Sequence, residues 1–236
     1  VLLSLKPQDA LPEDPRDLRR RYRAALSERK LLLILDNVAS ATQIRYLLPR
    51  ESSTAIVTSE YDFSTSFSKL FSWTVEGLQP EDAHRLMISV ASPTADLSRR
   101  ALDRLTTRLD GVPLALRLVA PLLGPRPRLS PRKLIRNLGQ VQRRLVALKG
   151  THTPNTAIDA AIEIAYEFLA AELKPYYVAL AVFSAPFTAA AAAAVWETPT
   201  ETAQHLLDRL VLRSLVDHQP GASTYQIHHL VRLHAQ

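Results

Sequence analysis

A short, uninterrupted apolar segment that ends in an acidic residue most constrains the fold of this chain. Leu31 to Leu35 reads Leu-Leu-Leu-Ile-Leu, and Asp36 and Asn37 follow directly. Such a segment is typical of a strand covered on both faces of a parallel sheet. A helix is predicted over 42–48, and Thr54 to Ser59 is β-branched and predicts a second strand. Strand, helix and strand at this spacing predict an α/β unit.

The residues after this unit predict helices and then one hairpin. A third, weaker strand is predicted at 73–75, and the α/β unit is predicted to end near residue 78. Helices predicted over 80–91, 96–109, 113–123 and 130–148 indicate a small helical bundle over 79–150. A linker is predicted over 150–155. Further helices, including the alanine run 189–194, precede strands near 215–217 and 225–227, which predicts a winged helix over 151–236.

Composition excludes several classes of site and partner. The chain has no cysteine, so it offers neither a disulfide nor a thiolate metal site. No apolar run approaches the roughly 20 residues of a membrane helix, so no membrane partner is predicted, and a cytoplasmic location is expected. His228, His229 and His234 do not match a familiar zinc spacing. The net charge of +6 permits an acidic partner, although solvated helix faces explain scattered arginines equally well.

Four segments in order resemble the NB-ARC domain of the STAND signalling NTPases, in its bacterial regulator form. The first strand with Asp36 is similar to the Walker B segment, and 55–59 is similar to the sensor strand. Residues 110–116, Asp-Gly-Val-Pro-Leu-Ala-Leu, resemble the Gly-Leu-Pro-Leu-Ala motif, and 225–235 resemble the Met-His-Asp segment. The resemblance implies a fold class of α/β plus α, with a truncated P-loop-NTPase-like sheet before the bundle and winged helix.

The resemblance also implies a function and the residues that perform it. It implies a switch in which ADP, held between three domains, keeps an off state and ATP favours an open one. Asp36 would coordinate Mg²⁺, and Asn37 would stand at the position of the catalytic base. Thr58, Pro113 and His228 would bind the nucleotide, with Pro113 against adenine and His228 on the β-phosphate. Effector or sensor domains in the parent chain, and oligomerisation on activation, are further implied partners.

Four departures from the family pattern bear on catalysis. Asn37 cannot act as a base, although it can orient a water molecule. Glu60 stands where the family has an arginine, and His229 stands where it has an aspartate. The chain contains no Gly-x-x-x-x-Gly-Lys-Ser/Thr loop, and truncation upstream of Val1 is the expected reason. The parent protein could therefore be a weak ATPase, whereas this chain is not expected to hydrolyse ATP.

Three of the assigned residues also have an ordinary structural explanation. Asp36 could cap the following helix, Pro113 could simply begin one, and His228 could be a polar residue at the end of a strand. Two other functions remain open: a winged-helix DNA-binding regulator and a nucleotide-free scaffold. DNA is the less favoured partner because helix 200–213 has mixed charges on its surface, including Glu201, Asp208 and Arg209.

Overall fold

The computed structural model describes residues 12–27, 30–49, 53–67, 70–91, 97–124, 129–149 and 156–236. They form two compact units, one within Val1–Val75 and one within Glu76–Gln236. The predicted linker over 150–155 lies outside the described residues. Among the helices of the described ranges, none is both long and apolar enough to span a membrane.

The first unit is built around two parallel strands. Its elements are α1 (Pro15–Ser27), β1 (Leu32–Leu35), α2 (Ala41–Ile44) and β2 (Thr54–Val57). Asp14 immediately precedes α1, and its Oδ1 accepts a hydrogen bond from the Arg16 amide at 2.8 Å, as expected of a capping residue before a proline. The strands pair in register from Leu32 opposite Thr54 to Leu35 opposite Val57. The α/β character of this region is therefore confirmed.

Two expectations for this unit were wrong. Within the described part of this unit the first strand is covered on one face only, because Leu33 is buried whereas Leu32 and Ile34 are 60% and 64% exposed. No strand forms at 73–75, where Trp73 is 90% exposed and Val75 is 89% exposed. The physical reason is that β propensity needs a neighbouring strand and a packed face, and in the described residues this segment pairs with neither strand of the sheet.

The second unit is helical. Its elements are α3 (Pro80–Val90), α4 (Arg99–Arg108), α5 (Pro113–Val119), α6 (Pro131–Lys149), α7 (Thr156–Glu167), α8 (Lys174–Ala179), α9 (Ala189–Trp196), α10 (Thr200–Val211), β3 (Asp217–Gln219), β4 (Thr224–Gln226) and α11 (His229–His234). One continuous apolar core extends from Ala83 to Ala235. Within it α5 packs on α7, α6 on α7, and α9 on α10.

The predicted hairpin forms, with its strands one or two residues from their expected positions. Strands β3 and β4 are antiparallel, with Asp217 opposite Gln226 and Gln219 opposite Thr224. Phe187, before α9, adds a bridge to Tyr225 of β4 through two backbone hydrogen bonds of 2.7 and 2.8 Å. Helices and a hairpin are thus present, while their arrangement as a winged helix stays a prediction, as does the boundary between 79–150 and 151–236.

Two glycines allow the loops before α3 and α5 to touch. The Leu78 amide donates to the Gly111 carbonyl at 2.8 Å. Gly111 has a φ of +64°, which favours glycine, and an added Cβ would lie 2.7 Å from the Leu78 carbonyl oxygen. A Cβ on Gly77 would lie 2.0 Å from the Asp110 carbonyl oxygen. This glycine contact fixes the starting points of α3 and α5, each of which begins with a proline.

Candidate functional site

The carboxyl ends of β1 and β2 bring three of the predicted site residues together. The Thr58 hydroxyl donates a short hydrogen bond to Asp36 Oδ1, and its oxygen accepts one from the Asn37 amide at 2.9 Å. Asn37 has a φ of 54°, a left-handed conformation that asparagine tolerates better than most residues. The Val38 amide donates to the Thr58 carbonyl at 2.9 Å. All three side chains are exposed, so the cluster faces solvent at the edge where ligands bind in such sheets.

This cluster suits a cation that arrives with phosphate better than a protein-bound metal. Asp36 contributes one exposed carboxylate, and Mg²⁺ usually keeps several waters when one or two carboxylates and substrate phosphates hold it. Among the described residues, no group of three or more histidine or acidic side chains could enclose a metal ion. The predicted role of Asp36 beside bound phosphates stays a prediction.

The second unit places Pro113 and His228 at the starts of two helices. Pro113 is the exposed first residue of α5. His228 is the half-buried residue immediately before α11, and its Nδ1 accepts a hydrogen bond from the Leu230 amide at 3.3 Å. A neutral imidazole whose Nδ1 accepts carries its proton on Nε2. The capping contact therefore leaves Nε2–H as the donor that His228 can offer to a ligand.

The surroundings of His228 keep it neutral. Burial is the main cause that lowers its pKa, and the neighbouring His229 and Arg117 lower it further, while Asp217 opposes them. The rings of His228 and His229 have centroids 4.7 Å apart. At neutral pH His228 is thus a hydrogen-bond donor without a formal charge, which distinguishes it from a lysine or arginine that binds phosphate by charge.

An ion pair connects α5, which begins with Pro113, with the hairpin that precedes His228. Arg117, one turn after Pro113 on α5, donates through a terminal nitrogen to Asp217 Oδ1 at 2.5 Å. Asp217 begins β3 and lies opposite Gln226, two residues before His228. Residues four apart on a helix share a face, so Pro113 and Arg117 lie on the same side of α5. Arg117 and Asp217 were not among the residues predicted from the sequence.

A polar network holds the other end of α11. The Tyr177 hydroxyl lies 3.0 Å from the Val231 carbonyl oxygen and 3.1 Å from His234 Nδ1, and His234 Nε2 lies 3.1 Å from Glu163 Oε2. Glu163 in turn pairs with Arg144 of α6 at 3.0 Å. Burial raises the pKa of Tyr177 far above its ordinary value, so its hydroxyl keeps its proton. This network, which we call the Tyr177 network, links α11 to α6, α7 and α8.

Comparison with known proteins adds a relationship along nearly the whole chain. The regulatory protein AfsR of Streptomyces coelicolor is 29% identical over 230 residues, which are 96% of this chain and 23% of that protein. The AfsR of Streptomyces griseus is 29% identical over 229 residues, with the same coverage of both chains. The chain is homologous to AfsR-type regulators. It spans about a quarter of the length of these relatives.

A solved structure shows the same fold. A STAND protein with a tetratricopeptide repeat sensor from Pyrococcus horikoshii matches 100% of this chain and 33% of its own, with a TM-score of 0.59 and 16% sequence identity. No protein-family model matches the chain. The relationship to regulators and the STAND-like fold agree with the resemblance seen in the sequence, whereas the specific assignment to NB-ARC stays a prediction.

Proposed function

We propose that this chain is the regulatory core of a nucleotide-dependent signalling switch of the NB-ARC type, closed by ADP. Its relatives are named regulatory proteins, and its fold is that of a STAND ATPase. The observation that carries the proposal is the state of His228: a neutral, half-buried ring whose Nδ1 is occupied and whose Nε2–H can donate to the terminal phosphate of ADP.

In this proposal each of the predicted residues binds or orients. His228 donates to the β-phosphate, and the exposed ring of Pro113 packs against adenine. Thr58 holds Asp36 so that its carboxylate can face a phosphate-bound Mg²⁺, which when present would neutralise phosphate charge. ADP binding favours the closed form by the difference between its affinities for the two forms, and ATP favours the open one. Effector or sensor domains elsewhere in the parent protein would respond to the change between the closed and open forms. The expected location of the protein is the cytoplasm.

Hydrolysis by this chain is not part of the proposal. Asn37 cannot accept a proton, and Glu60 is negatively charged where a phosphate contact is expected. These two residues argue against rapid turnover. Any ATPase activity of the parent protein would be slow.

The DNA-binding alternative receives little support from α10. Arg209 is paired with Glu172 at 2.6 Å, and Gln204 donates to Asp208 at 3.1 Å, so two polar side chains of this helix are engaged within the protein. Glu201 and Asp208 on the same helix would repel a phosphate backbone.

ADP binding measured by calorimetry tests the proposal. The measurement uses both the 236-residue chain and the longest form of the protein that contains it, each with and without His228→Ala. We expect the longest form to bind ADP and His228→Ala to weaken binding about tenfold, as the loss of a hydrogen bond to a charged group predicts. The control is His205→Ala, which removes an exposed histidine from α10.

Two results would refute this function. If the longest form does not bind ADP at millimolar concentration, the module is a nucleotide-free scaffold. If instead it binds random duplex DNA with an affinity that falls steeply as salt rises, the DNA-binding alternative replaces the switch.

A further inference from the structure

Arg117 forms an ion pair with Asp217, and the location of this pair bears on function more than its strength does. The side chains of Arg117 and Asp217 are 39% and 45% exposed. Ion pairs exposed to this degree contribute little to folding stability, because water screens them and two long side chains lose freedom. The pair nevertheless connects α5, which begins with Pro113, with β3, whose partner strand β4 ends two residues before His228. Its location therefore calls for an explanation other than stability.

A phosphate-binding site around His228 needs a positive charge. A neutral imidazole donates a hydrogen bond but does not compensate the charge of a diphosphate. Arg117 is a cation whose charge acts on His228, since it helps to lower the pKa of that ring while Asp217 raises it. Arg117 lies on the Pro113 face of α5, and its guanidinium has five donors, of which the hydrogen bond to Asp217 uses one.

We propose that Arg117 is a second phosphate-binding residue of the same site, oriented by Asp217, and that it supplies the charge for a nucleoside diphosphate whose terminal phosphate His228 binds. This inference rests on the proposed function, because it names a further contact of that site. Asp217 is a positioning residue: it holds the guanidinium at the hairpin while the remaining donors face the ligand. The Arg117 guanidinium would then contact both the Asp217 carboxylate and the ligand phosphate, and the ligand would connect α5 with the hairpin.

The test compares substitutions of Arg117 in the longest form of the protein, with ADP as the probe. Arg117→Gln should weaken ADP binding about tenfold or more, because it removes charge-assisted hydrogen bonds. Arg117→Lys, which keeps the charge, should stay within a few-fold of the unchanged protein. The affinity of Arg117→Gln should also fall less steeply with rising salt, since one charge contact is lost. The melting temperature without ligand is measured for each variant, so that a folding defect is recognised.

Arg99→Gln is the matched control. It removes the same charge and an exposed pair with Glu81 at 3.4 Å on other helices, and it should change ADP affinity less than twofold. The inference is overturned if Arg117→Gln binds ADP like this control, or if Arg117→Lys loses as much affinity as Arg117→Gln.

These outcomes separate the inference from the function on which it rests. If His228→Ala weakens ADP binding while Arg117→Gln leaves it unchanged, the inference fails and the switch stands. If the unchanged protein does not bind ADP, both fail.

Discussion

At the scale of single residues, His228 uses its two ring nitrogens differently. Nδ1 caps α11 by accepting the Leu230 amide, and this contact fixes the proton on Nε2. Protonation of the ring would convert Nδ1 into a donor and break the cap. The same residue therefore couples the start of α11 to pH and to any ligand that Nε2 contacts.

The depressed pKa of His228 predicts a loss of stability in mild acid. Burial lowers this pKa in the folded chain, so between the folded value and the unfolded value of about 6.5 the unfolded chain binds more protons. The contribution of His228 to folding stability is present above pH 6.5, and it is lost as pH falls through the pKa of His228 in the folded chain. We expect the free energy of unfolding in urea to decrease from pH 7.5 to 5.0, and to decrease less in His228→Gln. In the control His205→Gln the decrease should match the unchanged chain, and an equal decrease in both variants would contradict the prediction.

Thr58 is expected to stabilise the end of β1. Its hydroxyl contacts both the Asp36 carboxylate and the Asn37 amide. Asn37 has a left-handed backbone conformation. Thr58→Val keeps the β-branched shape but loses both hydrogen bonds, so it should reduce the free energy of local opening at this strand end by about 1–2 kcal/mol. Hydrogen exchange of the Val38 amide, which is bonded to the Thr58 carbonyl, measures the change. Thr54→Val, at the other end of β2, should have a smaller effect, and equal effects would show that the hydroxyl of Thr58 has no special role.

Some of these residue contacts could be predicted and others could not. Asp36 and Thr58 follow neighbouring parallel strands, so their proximity follows from the strand assignment alone. Arg117 and Asp217 are 100 residues apart, and no local pattern pairs them. For Arg117 the sequence offered one signal, its position four residues after Pro113. The position of Asp217 depends on the register of the hairpin, and side-chain alternation does not determine a register over strands of three residues.

At the scale of elements, α11 is too short to be stable alone. It has six residues, and isolated helices below about 12 residues are marginal in water. Its stability comes from its surroundings: His228 caps one end, Val231 is buried in the core, and His234 joins the Tyr177 network at the other end. The orientation of His228 therefore depends on contacts more than one helical turn away.

The Tyr177 network should show coupled energetics. Tyr177→Phe removes a fully buried hydroxyl and should cost about 1–2 kcal/mol of unfolding free energy. His234→Gln should also destabilise, and the double variant should lose at least about 0.5 kcal/mol less than the sum, because both changes break the same contact. Urea unfolding of the four chains gives the coupling energy. Tyr176→Phe is the control, because the ring of Tyr176 packs edge-on against Trp196 and is not one of the residues of the Tyr177 network. Additive effects of Tyr177→Phe and His234→Gln would show that the network does not act as a unit.

Most predicted helices agree with the structure because apolar spacing and caps are local signals, although the helix predicted over 42–48 is only a single turn, Ala41–Ile44. The alanine run forms α9 as expected, with the Thr188 hydroxyl accepting from the Ala191 amide at 3.2 Å at its start. The segment near residue 180 divides into short turns around α8, and the strand at 73–75 does not form. Such outcomes depend on neighbours that a local pattern does not contain.

At the scale of the whole molecule, the two units differ in how completely they are packed. The second has a continuous core of buried side chains from α3 to α11. The first has a two-stranded sheet whose outer face carries exposed Leu32, Ile34 and Ile56. Two paired strands are marginal without further strands or a covering layer.

This difference predicts which part of the chain folds alone. A polypeptide of residues 76–236 should unfold in a single cooperative transition by calorimetry, with the helical circular dichroism expected of the second unit. A polypeptide of residues 1–75 should lack a cooperative transition, because its described residues bury too little apolar surface to offset the conformational entropy of the segment. Cooperative melting of 1–75, or its absence in 76–236, would contradict this assignment of stability.

The glycine contact between the loops before α3 and α5 affects how genetic screens of this protein should be read. Any side chain at Gly77 or Gly111 collides with the opposite backbone, so such alleles should give little intact protein in the cell. In a screen for lost signalling they would score like alleles of the neighbouring Pro113. Immunoblots of protein abundance would separate the two classes, and only alleles that leave abundance normal would identify positions that act in the proposed switch.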